Sequence, residues 1–160
     1  MNLPNRLTLI RLLFIPVIVF FATFPFAQFN IVFGYVKIEF ISLPVINLII
    51  LALFTLASIT DFLDGYLARK NNQVTTFGKF VDPIADKLLV NTVFILFAYQ
   101  GVVPVIAVLI LIWRDTVVEG IRMIAARNGV TIAAAFLGKV KTVAQMLTII
   151  LYLAGNLPFE

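Results

Sequence analysis

At 160 residues, with 62% apolar side chains, 12% charged ones and a mean hydropathy of +1.08, the chain has the composition of a membrane domain and not of a water-soluble one. It carries no cysteine, which excludes disulfides and thiolate metal sites, and no histidine, which removes the usual zinc ligand and the usual general base. The formal net charge of +4 favours anionic partners, and any metal-binding or acid–base work falls to carboxylates.

The chain opens with Asn2, Pro4, Asn5, Arg6 and Arg11 ahead of an apolar run from Leu12 to Phe24. Pro4 suits the first turn of a short interfacial helix, and Pro16 marks a place where the first span can kink. Residues 28–42 read as a connector with one base, Lys37, and one acid, Glu39. A second span is predicted from about Pro44 toward Arg69, and a third from Asp82 to Gln100, with the polar stretch 70–78 between them. Asp82 followed by Pro83 matches a helix N-cap and first helical position. Gly101 to Pro104 is a short turn. A fourth helix begins near Val105, loses its apolar character at Arg114 and continues through Glu119, Arg122 and Arg127 until Asn128 and Gly129 end it. Residues 130–137 form a linker, and a fifth span starts at Gly138 and fades between Gly155 and Pro158. The expected fold is all-α: an integral membrane helical bundle of about five spans with a short N-terminal interfacial helix, one domain over residues 1–160.

Loop charge orients such a bundle. With alternating spans, eleven of the twelve Lys and Arg residues fall on or toward one side, and only Lys37 falls on the other. By the positive-inside rule the first side is cytoplasmic.

Acids stand out against this background. Asp61 and Asp64 are three residues apart, Asp82 and Asp86 four apart, so on helices each pair projects from one face. The two flanking spans form a helical hairpin whose facing ends bring all four carboxylates together, on the cytoplasmic side. A charge at the centre of a membrane helix costs at least about 2.5 to 3.5 kcal/mol, and two like charges about 5 Å apart repel by roughly 3 kcal/mol at an effective dielectric of 20. Such a cluster needs cations. Hard oxygen ligands in this number suit Mg²⁺ or Mn²⁺, and two ions would balance the charge. Gly65 and Ala68 lie beside the acids, where small side chains admit a flat base or a ribose or simply allow helices to pack closely.

A second constellation is basic. Arg114 and Arg122 are eight apart, on one helical face, and Lys139 and Lys141 open the following span on the same side of the membrane. Arg114 and Asp115 lie roughly 15 Å along from Pro104, near mid-bilayer, and are expected to face a protein-lined or water-filled cavity. The four bases suit a phosphate monoester; alternatively, Asp115 and Glu119 pair with them in a structural ion network.

The order D-x-x-D-G-x-x-A-R, eight residues, G-x-x-x-D-x-x-x-D, filled here by Asp61, Asp64, Gly65, Ala68, Arg69, Gly78, Asp82 and Asp86, resembles the signature of the CDP-alcohol phosphotransferases, membrane enzymes of phospholipid synthesis. Asn5, Leu7, Thr8 and Arg11, with Thr76-Phe77-Gly78-Lys79-Phe80 and Gly138-Lys139-Val140-Lys141-Thr142, resemble bacterial members that transfer a phosphatidyl group from CDP-diacylglycerol to glycerol 3-phosphate. This argues against reading the charged-then-apolar N-terminus as a signal peptide. The resemblance implies two divalent cations, Mg²⁺ or Mn²⁺, held by Asp61, Asp64, Asp82 and Asp86. It makes Asp86 the general base and gives the CDP moiety to Asp61, Gly65, Ala68, Arg69 and Gly78. It gives the acceptor phosphate to Arg114, Arg122, Lys139 and Lys141. It further implies a homodimer in the bacterial cytoplasmic membrane, surrounded by lipid, with the site facing the cytoplasm and no nucleic-acid partner. The family has six spans, so the last one is expected to be missing from these 160 residues. Rival readings keep the chemistry with serine or an inositol phosphate as acceptor, or make the chain a non-catalytic divalent-cation transporter or membrane scaffold.

Overall fold

The computed structural model describes residues 3–38, 41–70, 76–129 and 136–155, with side chains described for 7–37, 42–61, 63, 81–129 and 138–155. Among the described residues there are five α-helices: α1 (Leu3–Thr23), α2 (Val45–Lys70), α3 (Thr76–Tyr99), α4 (Val105–Arg127) and α5 (Phe136–Leu153). The chain divides into two compact units, Met1–Thr92 with Ile150–Glu160, and Val93–Ile149.

In the first unit α1 packs along α2. The expected interfacial segment and first span are one continuous helix, with Pro4 in its opening turn, where a missing N–H costs little, and Pro16 inside it. The buried face of α2 runs through Ile50, Phe54 and Ala57 at helical spacing, and Asp61 continues the same stripe. On α1 the fully buried residues are Thr8, Arg11 and Ile18, again one stripe. On α3 the stripe runs through Ala85, Leu89 and Val90, with Asp82 and Asp86 on its line. The buried faces of α2 and α3 are thus apolar along most of their length and turn polar at one end, and α1 sets the buried Thr8 and Arg11 at its own polar end.

Two features depart from the sequence-based expectation. The connector folds in part as an antiparallel hairpin, β1 (Tyr35–Ile38) with β2 (Ile41–Pro44), in the register Tyr35↔Pro44, Val36↔Leu43, Lys37↔Ser42 and Ile38↔Ile41. Its β-branched and aromatic residues favour pleated backbone, and buried Leu43 anchors it on one face. The Val45 amide donates to the Gly34 carbonyl at 3.1 Å, closing the hairpin at the start of α2. Between α1 and the hairpin a 3₁₀ turn (Phe26–Phe29) packs on the end of α1 through Phe24, whose ring lies 4.8 Å from Phe26 and 5.1 Å from Phe29. Secondly, α3 starts at Thr76 and not at Asp82, so Pro83 lies inside the helix and Asp82 is not its N-cap. Proline forfeits one intrahelical hydrogen bond there, and the long apolar continuation from Leu88 carries the helix regardless.

In the second unit the predicted boundaries hold closely. Gly101, at φ +76°, makes the turn after α3, Pro104 precedes α4, and Gly129, at φ +75°, follows its end. The α5 helix begins at Phe136, two residues before the expected Gly138. Val93, Phe94, Leu96, Phe97, Val108 and Ile149 are buried, whereas Ile106, Ile110, Trp113, Val117, Ile121 and Ile124 form a continuous exposed apolar stripe along α4.

Over the described residues no helix is long and apolar enough to cross a membrane. In α3 and α4 charged residues interrupt the apolar character: Asp82, Asp86 and Lys87 lie in the first, and Arg114, Asp115, Glu119 and Arg122 in the second.

Candidate active site

The polar ends of α1, α2 and α3 meet. Arg11 Nη1 lies 2.8 Å from Asp61 Oδ1 and 2.8 Å from Asp86 Oδ1, so one cationic nitrogen of α1 joins a carboxylate of α2 to a carboxylate of α3. The Thr8 hydroxyl, one turn earlier on α1, donates to Asp82 Oδ1 at 2.8 Å. The side chain of Arg11 is fully buried, whereas those of Asp61 and Asp86 remain 34% and 41% exposed. The guanidinium therefore sits behind the acids, and the acids keep an open side.

The spacing argument that α2 and α3 bring their acids together is met by Asp61 and Asp86, whose Oδ1 atoms can be no farther apart than twice the distance each keeps from Arg11. Asp82 is held on the same helix as Asp86 by a separate tie. The side chains of Asp64, Ala68 and Arg69 lie outside those described, and Gly65 and Gly78 are described in backbone only; all five positions are helical, in α2 and α3. Among the described residues no group of three or more acids is arranged to hold a metal ion. Even so, two carboxylates from different helices already converge on one cationic atom, and that hard-oxygen donor pair fits a divalent cation.

Arg11 and Thr8 are the site residues that composition and spacing did not single out. The usable signal was an arginine inside an apolar helix, which must find a partner because a buried charge costs several kcal/mol when unpaired.

The basic residues are distributed differently. Arg114 Nη1 lies 3.0 Å from Asp115 Oδ1, and Lys141 on α5 pairs with Asp115 Oδ2, so α4 and α5 are joined through one acid. Asp115 is 13% exposed, Lys141 20% and Arg114 47%. The ion-network alternative thus describes part of what Arg114 and Lys141 do. Lys139 is exposed, and Arg122 has a buried Nε with no hydrogen-bond partner among the described residues. One turn beyond Lys141 on α5, Gln145 is buried and its Nε2 likewise has no hydrogen-bond partner among the described residues.

Comparison with known proteins bears on the chemistry of these groups. A family model described as CDP-alcohol phosphatidyltransferase matches residues 1–159. A Bacillus subtilis protein named CDP-diacylglycerol–glycerol-3-phosphate 3-phosphatidyltransferase is 43% identical over 159 residues, covering 99% of this chain and 80% of its own length. Proteins of the same name from Rickettsia bellii and Salmonella choleraesuis are 41% and 35% identical, over 97% and 92% of this chain and 76% and 74% of their own lengths.

Proposed function

Because the chain belongs to the CDP-alcohol phosphatidyltransferase family, we propose that it transfers the phosphatidyl group of CDP-diacylglycerol to glycerol 3-phosphate, releasing CMP and forming phosphatidylglycerophosphate. The observation that carries this reading is the meeting of Asp61 and Asp86, from α2 and α3, on a single cationic nitrogen. Relatives that share the reaction's name at 43% and 41% identity support the choice of acceptor.

The reaction makes one bond between the acceptor hydroxyl oxygen and the phosphatidyl phosphorus and breaks the bond from that phosphorus to the CMP oxygen. Asp86 accepts the hydroxyl proton on a carboxylate oxygen, which raises the nucleophilicity of the attacking oxygen. Asp61, Gly65, Ala68, Arg69 and Gly78 hold the CDP moiety, with Arg69 offering its planar fork to diphosphate oxygens. Divalent cations, Mg²⁺ or Mn²⁺, held by Asp61, Asp64, Asp82 and Asp86 would neutralise charge on the diphosphate and stabilise the attacking and leaving oxygens. Arg114, Arg122, Lys139 and Lys141 bind the acceptor's own phosphate. The buried Nε of Arg122, which has no hydrogen-bond partner among the described residues, supports this, since such a donor is costly unless a ligand satisfies it.

We place the protein in the bacterial cytoplasmic membrane as a single multi-pass domain working as a homodimer, with the acids on the cytoplasmic side. Support comes from the exposed apolar stripe on α4, from the exposed Leu13, Val17 and Phe20 on α1, and from the one-sided distribution of bases.

The decisive experiment is product analysis. Purified protein given labelled glycerol 3-phosphate, CDP-diacylglycerol and Mg²⁺ or Mn²⁺ is expected to form labelled phosphatidylglycerophosphate and one CMP per product, and EDTA to stop it. Equal turnover of serine or an inositol phosphate would remove the acceptor assignment; full activity in chelator would remove the metal ions.

A further inference from the structure

We infer that Arg11 is a positioning residue that sets how tightly the acid cluster holds divalent cations, because it is itself the resident counter-charge of Asp61 and Asp86. The inference rests on the metal-assisted reading above and adds to it a residue from outside the Asp61–Asp86 stretch.

The geometry is specific. One nitrogen stands 2.8 Å from each carboxylate, its side chain is fully buried, and the two acids retain open surface. A cation arriving from the open side meets carboxylate oxygens whose negative charge is already shared with a guanidinium behind them. The two cations draw on the same charge and also repel one another, since like charges a few ångströms apart interact strongly even at an effective dielectric of 20. Arg11 therefore stabilises the metal-free protein more than the metal-loaded one. By linkage, that difference appears as weakened cation binding, and removing the positive charge must strengthen it. Thr8 belongs to the same device: from the same face of α1 it ties Asp82 by a neutral hydrogen bond and adds no competing charge.

A purely structural arginine makes a different forecast. If Arg11 served only to hold α1 against α2 and α3, its loss would lower stability equally with and without metal and leave cation affinity unchanged.

The test compares wild type with Arg11→Gln and Arg11→Lys in detergent, without substrate. Mn²⁺ affinity is read by electron paramagnetic resonance, and melting temperature is measured in EDTA and in saturating Mn²⁺. Arg11→Gln is expected to bind Mn²⁺ more tightly, by about 5- to 150-fold, the usual range of coupling between linked sites. It is expected to melt well below wild type in EDTA and to recover most of that loss in Mn²⁺. Arg11→Lys keeps the charge and should stay within a few-fold of wild-type affinity. Equal or weaker Mn²⁺ binding by Arg11→Gln overturns the inference and leaves the metal-assisted reading standing. Failure of Arg11→Gln to fold even when prepared in Mn²⁺ also overturns it, because the ion should replace the missing charge. If neither wild type nor variant binds Mn²⁺, the metal assignment and this inference fall together.

Discussion

The acid cluster of α1, α2 and α3 and the basic cluster of α4 and α5 are built on opposite signs of the same plan. In the first, a fully buried guanidinium, Arg11, is shared by two partly exposed carboxylates, Asp61 and Asp86. In the second, a nearly buried carboxylate, Asp115, is shared by Arg114 and Lys141, which are more exposed than it is. In each the minority charge lies inside and the majority charge faces out. The buried partner offsets part of the cost of placing like charges together, and the sign left over sets what the outer face favours: positive charge at the acids, negative charge at the bases.

The comparison breaks most sharply at Asp86. Asp86→Asn should lower turnover by about 10²- to 10⁴-fold, the usual contribution of a general base, while CDP-lipid affinity stays within a few-fold. Steady-state kinetics and binding of a non-reactive CDP-lipid check this, and equal loss of both would reduce Asp86 to a binding residue.

Next in size are the bases. Arg122→Ala and Lys139→Ala should raise the KM for glycerol 3-phosphate by about tenfold or more, as expected for loss of a charge-assisted hydrogen bond, with little change in the KM for CDP-diacylglycerol. A rise in the CDP-diacylglycerol KM instead would mean that these bases serve the donor. The smallest effect belongs to Thr8→Val, which removes the hydroxyl from Asp82 and should cost about 0.5 to 1.5 kcal/mol of stability, seen as a lowered melting temperature in EDTA. A loss as large as that of Arg11→Gln would show that the tie to Asp82, and not the shared guanidinium, holds α1 in place.

Much of this arrangement was legible in the sequence because its signals are periodic and local. The meeting of Asp61 with Asp86 followed from three- and four-residue spacing at the facing ends of two apolar runs, and the boundaries of α4 followed from Pro104 and from Asn128 with Gly129. Arg11 was different. Nothing in its neighbourhood names a partner seventy-five residues away, and an arginine near the start of an apolar run is also what topology alone would retain. The hairpin at Tyr35 to Pro44 was missed because four-residue strands leave too short a pattern to separate from a connector. Asp82 was misplaced at a helix start because Asp-Pro is a strong local cap signal, and the turn that precedes it, from Thr76, carries no apolar run of its own.

The burial of Arg11 also bears on how the protein is made. Translation delivers this arginine ahead of its partners, and Asp86 leaves the ribosome seventy-five residues after it. Until then the nascent first helix carries a charge that its own neighbours do not neutralise, which opposes early commitment to a hydrocarbon environment. Its final seating has to wait for α3, so the step that brings Asp61 and Asp86 together on Arg11 is also the step that lets α1 settle.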